Sequence, residues 1–100
     1  MNKTKKYQSF EEFYPFYLSQ HVNKINKTLH IIGTTLVFFL FIYALLVFNF
    51  KLFVYIPIVG YGFAWIGHFF FEKNRPATFQ YPIYSLFGDF KMWFGFVKGL

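Results

Sequence analysis

The sequence predicts an all-α integral membrane protein: an antiparallel transmembrane helical hairpin with a short N-terminal helix and an interfacial C-terminal segment. Three observations carry this. Residues 31–50 and 52–71 are uncharged apolar runs, each as long as the ~20 residues that cross a bilayer core of ~30 Å. Charged side chains form only 14% of the chain, against about 25% in soluble domains. Phenylalanine alone fills 18 of 100 positions, more aromatic surface than a soluble core of this size can hide.

The elements follow in order. Residues 1–9 form a basic tail without the apolar region of a secretory signal. Ser9 and Glu12 make an S-x-x-E capping box that starts a short helix over residues 10–22. Phe13, Phe16, Tyr17 and Gln20 share one side of it, and Pro15 sits near its first turn or kinks it. Asn26 is the expected N-cap of the first transmembrane helix, over residues 29–50. The second covers 52–72, where Pro57, Gly60, Gly62 and Gly67 are tolerated in lipid. Only Lys51 lies between the spans, whereas lysines and Arg75 flank both outer ends. The positive-inside bias then puts both termini in the cytoplasm. Residues 79–100 are aromatic but broken by Pro82, Gly88, Asp89 and Lys91, which suits an interfacial helix.

The net charge of +6 is spread along the chain and flanks apolar runs. It is better matched to anionic lipid than to nucleic acid, which is not expected as a partner. Cysteine is absent, which excludes disulfide and thiolate chemistry.

Any polar site must draw on His21, His30, His68, Glu11, Glu12, Glu72 and Asp89. His68 and Glu72 are four apart, on one helical face. With a turn centred near residue 50, His30 comes level with residue 70, between them. The break after Val22 lets His21 fold over the same edge. Three imidazoles and a carboxylate suit iron, zinc or another first-row metal. The alternative is a set of hydrogen-bonded interfacial histidines. Haem between His30 and His68 is disfavoured, because the two lie too close in depth. Lys73, Asn74 and Arg75 follow Glu72 where the helix leaves the bilayer. They meet lipid headgroups or hold a substrate carboxylate. Asp89 pairs with Arg75 or joins a metal shell, the pairing being preferred, and Tyr17 reads as an interface anchor.

Two blocks, FYPFYLSQHVNKINKTLHIIGTT and GYGFAWIGHFFFEKNRPATFQYPIYSLFGDFKMW, carry a family resemblance that spans Phe10 to Trp93. They resemble small integral membrane proteins whose characterised fungal member is a 2-hydroxy fatty acid dioxygenase of the endoplasmic reticulum. Tyr17, His21, Asn26 and His30 match its first motif. Gly67, His68, Glu72, Lys73, Arg75, Pro76 and Ala77 match its second. The resemblance implies Fe(2+) held by His21, His30 and His68, with Glu72 as a fourth ligand or as an orienting partner. It implies dioxygen and a fatty acyl substrate in membrane lipid, with one carbon removed in α-oxidation. Arg75 would neutralise the substrate carboxylate; Tyr17, Asn26, Asn74 and Asp89 would support substrate or ligands. The fungal enzyme is longer, with additional membrane segments. This chain resembles the short bacterial branch, which implies a bacterial inner membrane. Two spans make a thin wall for a site, which leaves room for a homodimer, though the sequence does not fix the oligomeric state. A zinc-dependent lipid enzyme and a non-enzymatic lipid- or partner-binding protein are the competing readings.

Overall fold

The computed structural model describes residues 7–99. Most of the expected basic tail, and the last residue of the C-terminal segment, therefore lie outside the described residues. Within them the chain is helical and contains no strand. The helices are α1 (Phe10–Ser19), α2 (Lys24–Leu46), α3 (Tyr55–Ile66) and α4 (Pro82–Lys98). A 3-10 segment (Phe50–Val54) leads into α3, and a π-helical turn (Gly67–Glu72) continues it. A second 3-10 turn (Ala77–Phe79) precedes α4.

α1 begins as its sequence dictates. Ser9 Oγ accepts the Glu12 N–H at 3.2 Å. Glu12 reaches back one residue further than the usual box, accepting from the Gln8 N–H at 3.1 Å. The helix holds Pro15 in its interior and stops at Ser19, three residues short of the expected end. Phe13 and Tyr17, one turn apart, are both fully buried. They pack with Met92 of α4 and Ala77, edged by Tyr81, Tyr84 and Trp93.

α2 is capped by Asn23, not Asn26. Asn23 Oδ1 accepts from the N–H groups of Ile25 and Asn26 at 2.9 and 3.1 Å. Asn26 is instead fully buried one turn inside the helix, where its amide is needed elsewhere. Both expected spans start earlier than their uncharged runs. Lys24–Leu46 and Phe50–Glu72 each cover 23 residues, long and apolar enough to cross a membrane.

α2 and α3 lie side by side in opposite directions. A Cβ on Gly33 would stand 2.9 Å from Phe63 Cβ, and one on Gly60 would stand 3.3 Å from Val37. Glycine at these positions lets the two backbones approach closely. The chain reverses at Val47–Asn49, with Phe48 left-handed at φ 55°.

The C-terminal segment departs from expectation in form. Pro82 stands in the first turn of α4, where its missing N–H costs nothing, and the helix runs unbroken through Gly88 and Lys91. α4 packs on α1 and α2. Trp93 Nε1 donates to Thr35 Oγ1 at 2.8 Å, and Phe38 stacks on Phe90 with centroids 5.4 Å apart. Gly88 sits under the Tyr17 ring, where a Cβ would come within 2.8 Å.

Buried apolar side chains are few. Phe39, Ile42, Leu46, Val54, Ile58 and Phe70 all face outward, and they form part of a much larger exposed apolar set. In water such a coat would drive association.

Candidate metal centre

Three elements bring one histidine each to a common point. His21 follows α1, His30 lies in the second turn of α2, and His68 is the second residue of the π-helical turn. All three are buried, and their candidate ligand atoms lie within 4.8 Å of one another. His21 Nε2 stands 3.1 Å from His30 Nε2 and 3.1 Å from His68 Nε2.

The outer nitrogens decide what these contacts are. His21 Nδ1 donates to the Tyr17 carbonyl at 2.6 Å. His30 Nδ1 donates to the Asn26 carbonyl at 2.9 Å. His68 Nδ1 faces Asn74 Oδ1 at 2.7 Å. Asn74 is held in that sense because its Nδ2 donates to the backbone carbonyl and Oε1 of Gln20, at 3.3 and 3.0 Å. Each Nδ1 therefore carries the proton, and each Nε2 presents a bare lone pair. Three lone pairs meet with no proton to share. Leaving each one unpartnered would cost about 1–3 kcal/mol. A cation resolves the conflict, and the spacing fits one. Two nitrogens bound at about 2.1 Å and roughly at right angles lie about 3 Å apart.

Burial pushes the pKa of His21 down to about 2, and the neighbouring His30 pushes it the same way. A neutral imidazole is the form a metal requires. The Tyr17 ring stacks on His21, centroids 4.0 Å apart, and sets its plane. The Tyr17 hydroxyl donates to Asp89 Oδ1. Burial raises the Asp89 carboxyl to about 7, with the Tyr17 bond opposing. Tyr17 itself is raised well above the usual phenol range, first by burial and then by Asp89.

Other expected roles are displaced. Glu72 does not join the histidine nitrogens. Its Oε1 accepts from the Asn23 N–H and from Asn26 Nδ2, both at 2.9 Å. It orients no imidazole directly; it holds Asn26, whose carbonyl holds His30. Arg75 is exposed and lies over the Phe79 ring, 5.7 Å from its centroid. Asp89 takes Tyr17 as its partner in place of Arg75. Tyr17 is buried at 1% exposure and does not sit as an interface anchor.

Sequence reasoning missed Gln20, Asn23 and Ser85. Ser85 is buried beside the three histidines, in a space of about 10 Å³, and its hydroxyl has no hydrogen-bond partner among the described residues. An isolated serine inside an aromatic helix gives no signal of that. Asn26 Oδ1 is likewise buried without a partner among the described residues, pressed against Gly67.

Among known proteins, a family model described as 2-hydroxy-palmitic acid dioxygenase Mpo1-like matches residues 7–100. No curated protein and no solved structure matches the chain. With nearly its whole length accounted for by that family model, the chain belongs to the Mpo1-like family.

Proposed function

We propose that the protein is a membrane-embedded, iron(II)-dependent dioxygenase acting on 2-hydroxy fatty acids, with His21, His30 and His68 as the metal ligands. The observation that carries this is the convergence of three proton-free Nε2 atoms, each backed by a carbonyl on its far side. The family's name points to dioxygenase chemistry on a 2-hydroxy acid. When bound, ferrous iron would supply dioxygen activation and the redox change needed to cleave between C1 and C2.

The chain's own residues supply position and charge. Three neutral imidazoles leave the full double charge of the ion uncompensated. In a buried site that charge strongly favours an anionic carboxylate. Tyr17, Asn26 and Asn74 hold the three rings so that the nitrogens need not reorganise. The outward apolar coat supports a placement in which Lys24–Leu46 and Phe50–Glu72 both cross the bilayer. The basic residues on their outer ends favour cytoplasmic termini. A periplasmic signal from a C-terminal reporter would overturn that orientation.

Zinc would satisfy the same three nitrogens, so the test measures metal and reaction together. Protein purified without added metal should contain iron close to one ion per chain. It should consume dioxygen only when a 2-hydroxy fatty acid is present. Full zinc occupancy with no dioxygen uptake, even after iron loading, would defeat the proposal.

A further inference from the structure

A cavity of about 240 Å³ lies between α2, α3 and α4. Each helix contributes a stripe at helical spacing, such as His30, Thr34 and Val37 from α2. One end is polar: His30 and Asp89 line it, and both also line the small space at the three histidines. The far end, at Val37, Pro57 and Gly60, is apolar. From His30 to Val37 the helix rises about 10 Å. The shape is a short apolar tube whose single polar end opens beside the metal centre. Ligand pockets combine these features: an apolar wall and a few polar groups that fix orientation.

One ligand class fits that polarity, an anionic head carrying an unbranched alkyl chain. A bulk lipid lying along the outside would keep its head at the membrane surface and would not match the buried polar end. Gly60 controls the far end. A Cβ there would stand 3.3 Å from Val37 Cγ2, so any larger side chain would bridge to α2 and close the tube.

We propose that this cavity takes the proximal part of the substrate's acyl chain, with Gly60 and Val37 closing its far end and the rest of a longer chain leaving through the cavity's open side toward the lipid. The identity of the head rests on the dioxygenase reading; the path of the chain does not. Each methylene that gains burial should add about 4-fold in affinity, so the position of the closed end should be read out as chain-length dependence.

The test uses the full-length, metal-loaded protein in nanodiscs, with a 2-hydroxyhexadecanoate analogue bearing a mid-chain diazirine. Photo-crosslinks should map to Ile56, Pro57, Gly60, Tyr61 and Val37, and excess 2-hydroxyhexadecanoate should compete them away. Gly60→Leu should remove these crosslinks and weaken 2-hydroxyhexadecanoate binding by about 10-fold or more, while 2-hydroxyhexanoate binding changes by less than about 3-fold. Val37→Ala deepens the closed far end and should shift preference toward longer chains, which keeps the test alive if Gly60→Leu fails to fold. Crosslinks confined to outward Phe39, Val54 and Ile58, crosslinks that do not compete, or an unchanged chain-length profile in both variants would each overturn the proposal. Dioxygen uptake on the same samples separates the two readings. Groove crosslinks without uptake would sink the reaction and keep the tube; uptake with outward crosslinks would do the reverse.

Discussion

Replacing His68 with alanine is expected to lower iron affinity by at least about 100-fold and to abolish dioxygen uptake. The size follows from the donor set. With three nitrogens available, losing one removes a bond to the ion itself, whereas losing an orienting partner typically costs 10–100-fold. Asn74→Ala supplies that smaller step, because it frees His68 Nδ1 and leaves Nε2 in place. The two variants should therefore fall in order, alanine at 68 well below alanine at 74. Metal analysis after dialysis, with helicity measured in parallel, checks this. A helical His68→Ala protein with unchanged iron would remove His68 from the ligand set. His68→Gln fills the same space and guards against a packing artefact.

The second large effect is expected at Glu72, and it is one of stability before activity. Glu72 Oε1 accepts two hydrogen bonds that tie the start of α2 to the end of the π-helical turn. Hydrogen bonds to a charged acceptor are worth about 1.5–3 kcal/mol each, so Glu72→Ala should destabilise the protein by about 3 kcal/mol or more. Asn26 would lose the closer of the two acceptors of its buried amide, keeping only the Gln20 carbonyl at 3.4 Å, and the carbonyl that holds His30 would lose its anchor. Iron affinity should then fall as a consequence. Glu72→Gln separates this from direct ligation. Its amide oxygen can still accept both bonds, so stability and iron should largely return. If Glu72→Ala melts like the wild type but loses its iron, and glutamine does not restore it, Glu72 acts as a ligand and the clamp is wrong.

Much of the arrangement was legible because it depends on counting. Two uncharged runs and a short turn set the pairing of α2 and α3. The observed pairing is centred nearer Phe48 than Phe50, since Gly33 meets Phe63 and Val37 meets Gly60. Depth along a helix is nearly linear in residue number, so the meeting of His30 and His68 followed from the turn. What escaped depended on side chains choosing between partners far apart in sequence. Asn23 and Asn26 are equal candidates for a cap by local chemistry. The choice is made by Glu72, which needs one asparagine inside. Asp89 had a nearby cation in Arg75 and took a phenol 72 residues away, because α4 docks on α1. That docking depends on Gly88 offering space to the Tyr17 ring, which no periodicity displays.

The turn from Gly67 to Glu72 closes through the Asn74 N–H, which donates to the His68 carbonyl at 3.0 Å, with Lys73 left-handed at φ 62°. Asn74 is thus folded back onto the ring six residues before it. Between them Phe69, Phe70 and Phe71 point outward, and any apolar residue would serve there. The spelling of the stretch is free, but its length is not. Deleting one phenylalanine would tighten the wide turn into an ordinary one and leave five residues where His68 and Asn74 now stand six apart, removing the fold-back that places Asn74 Oδ1 on His68 Nδ1.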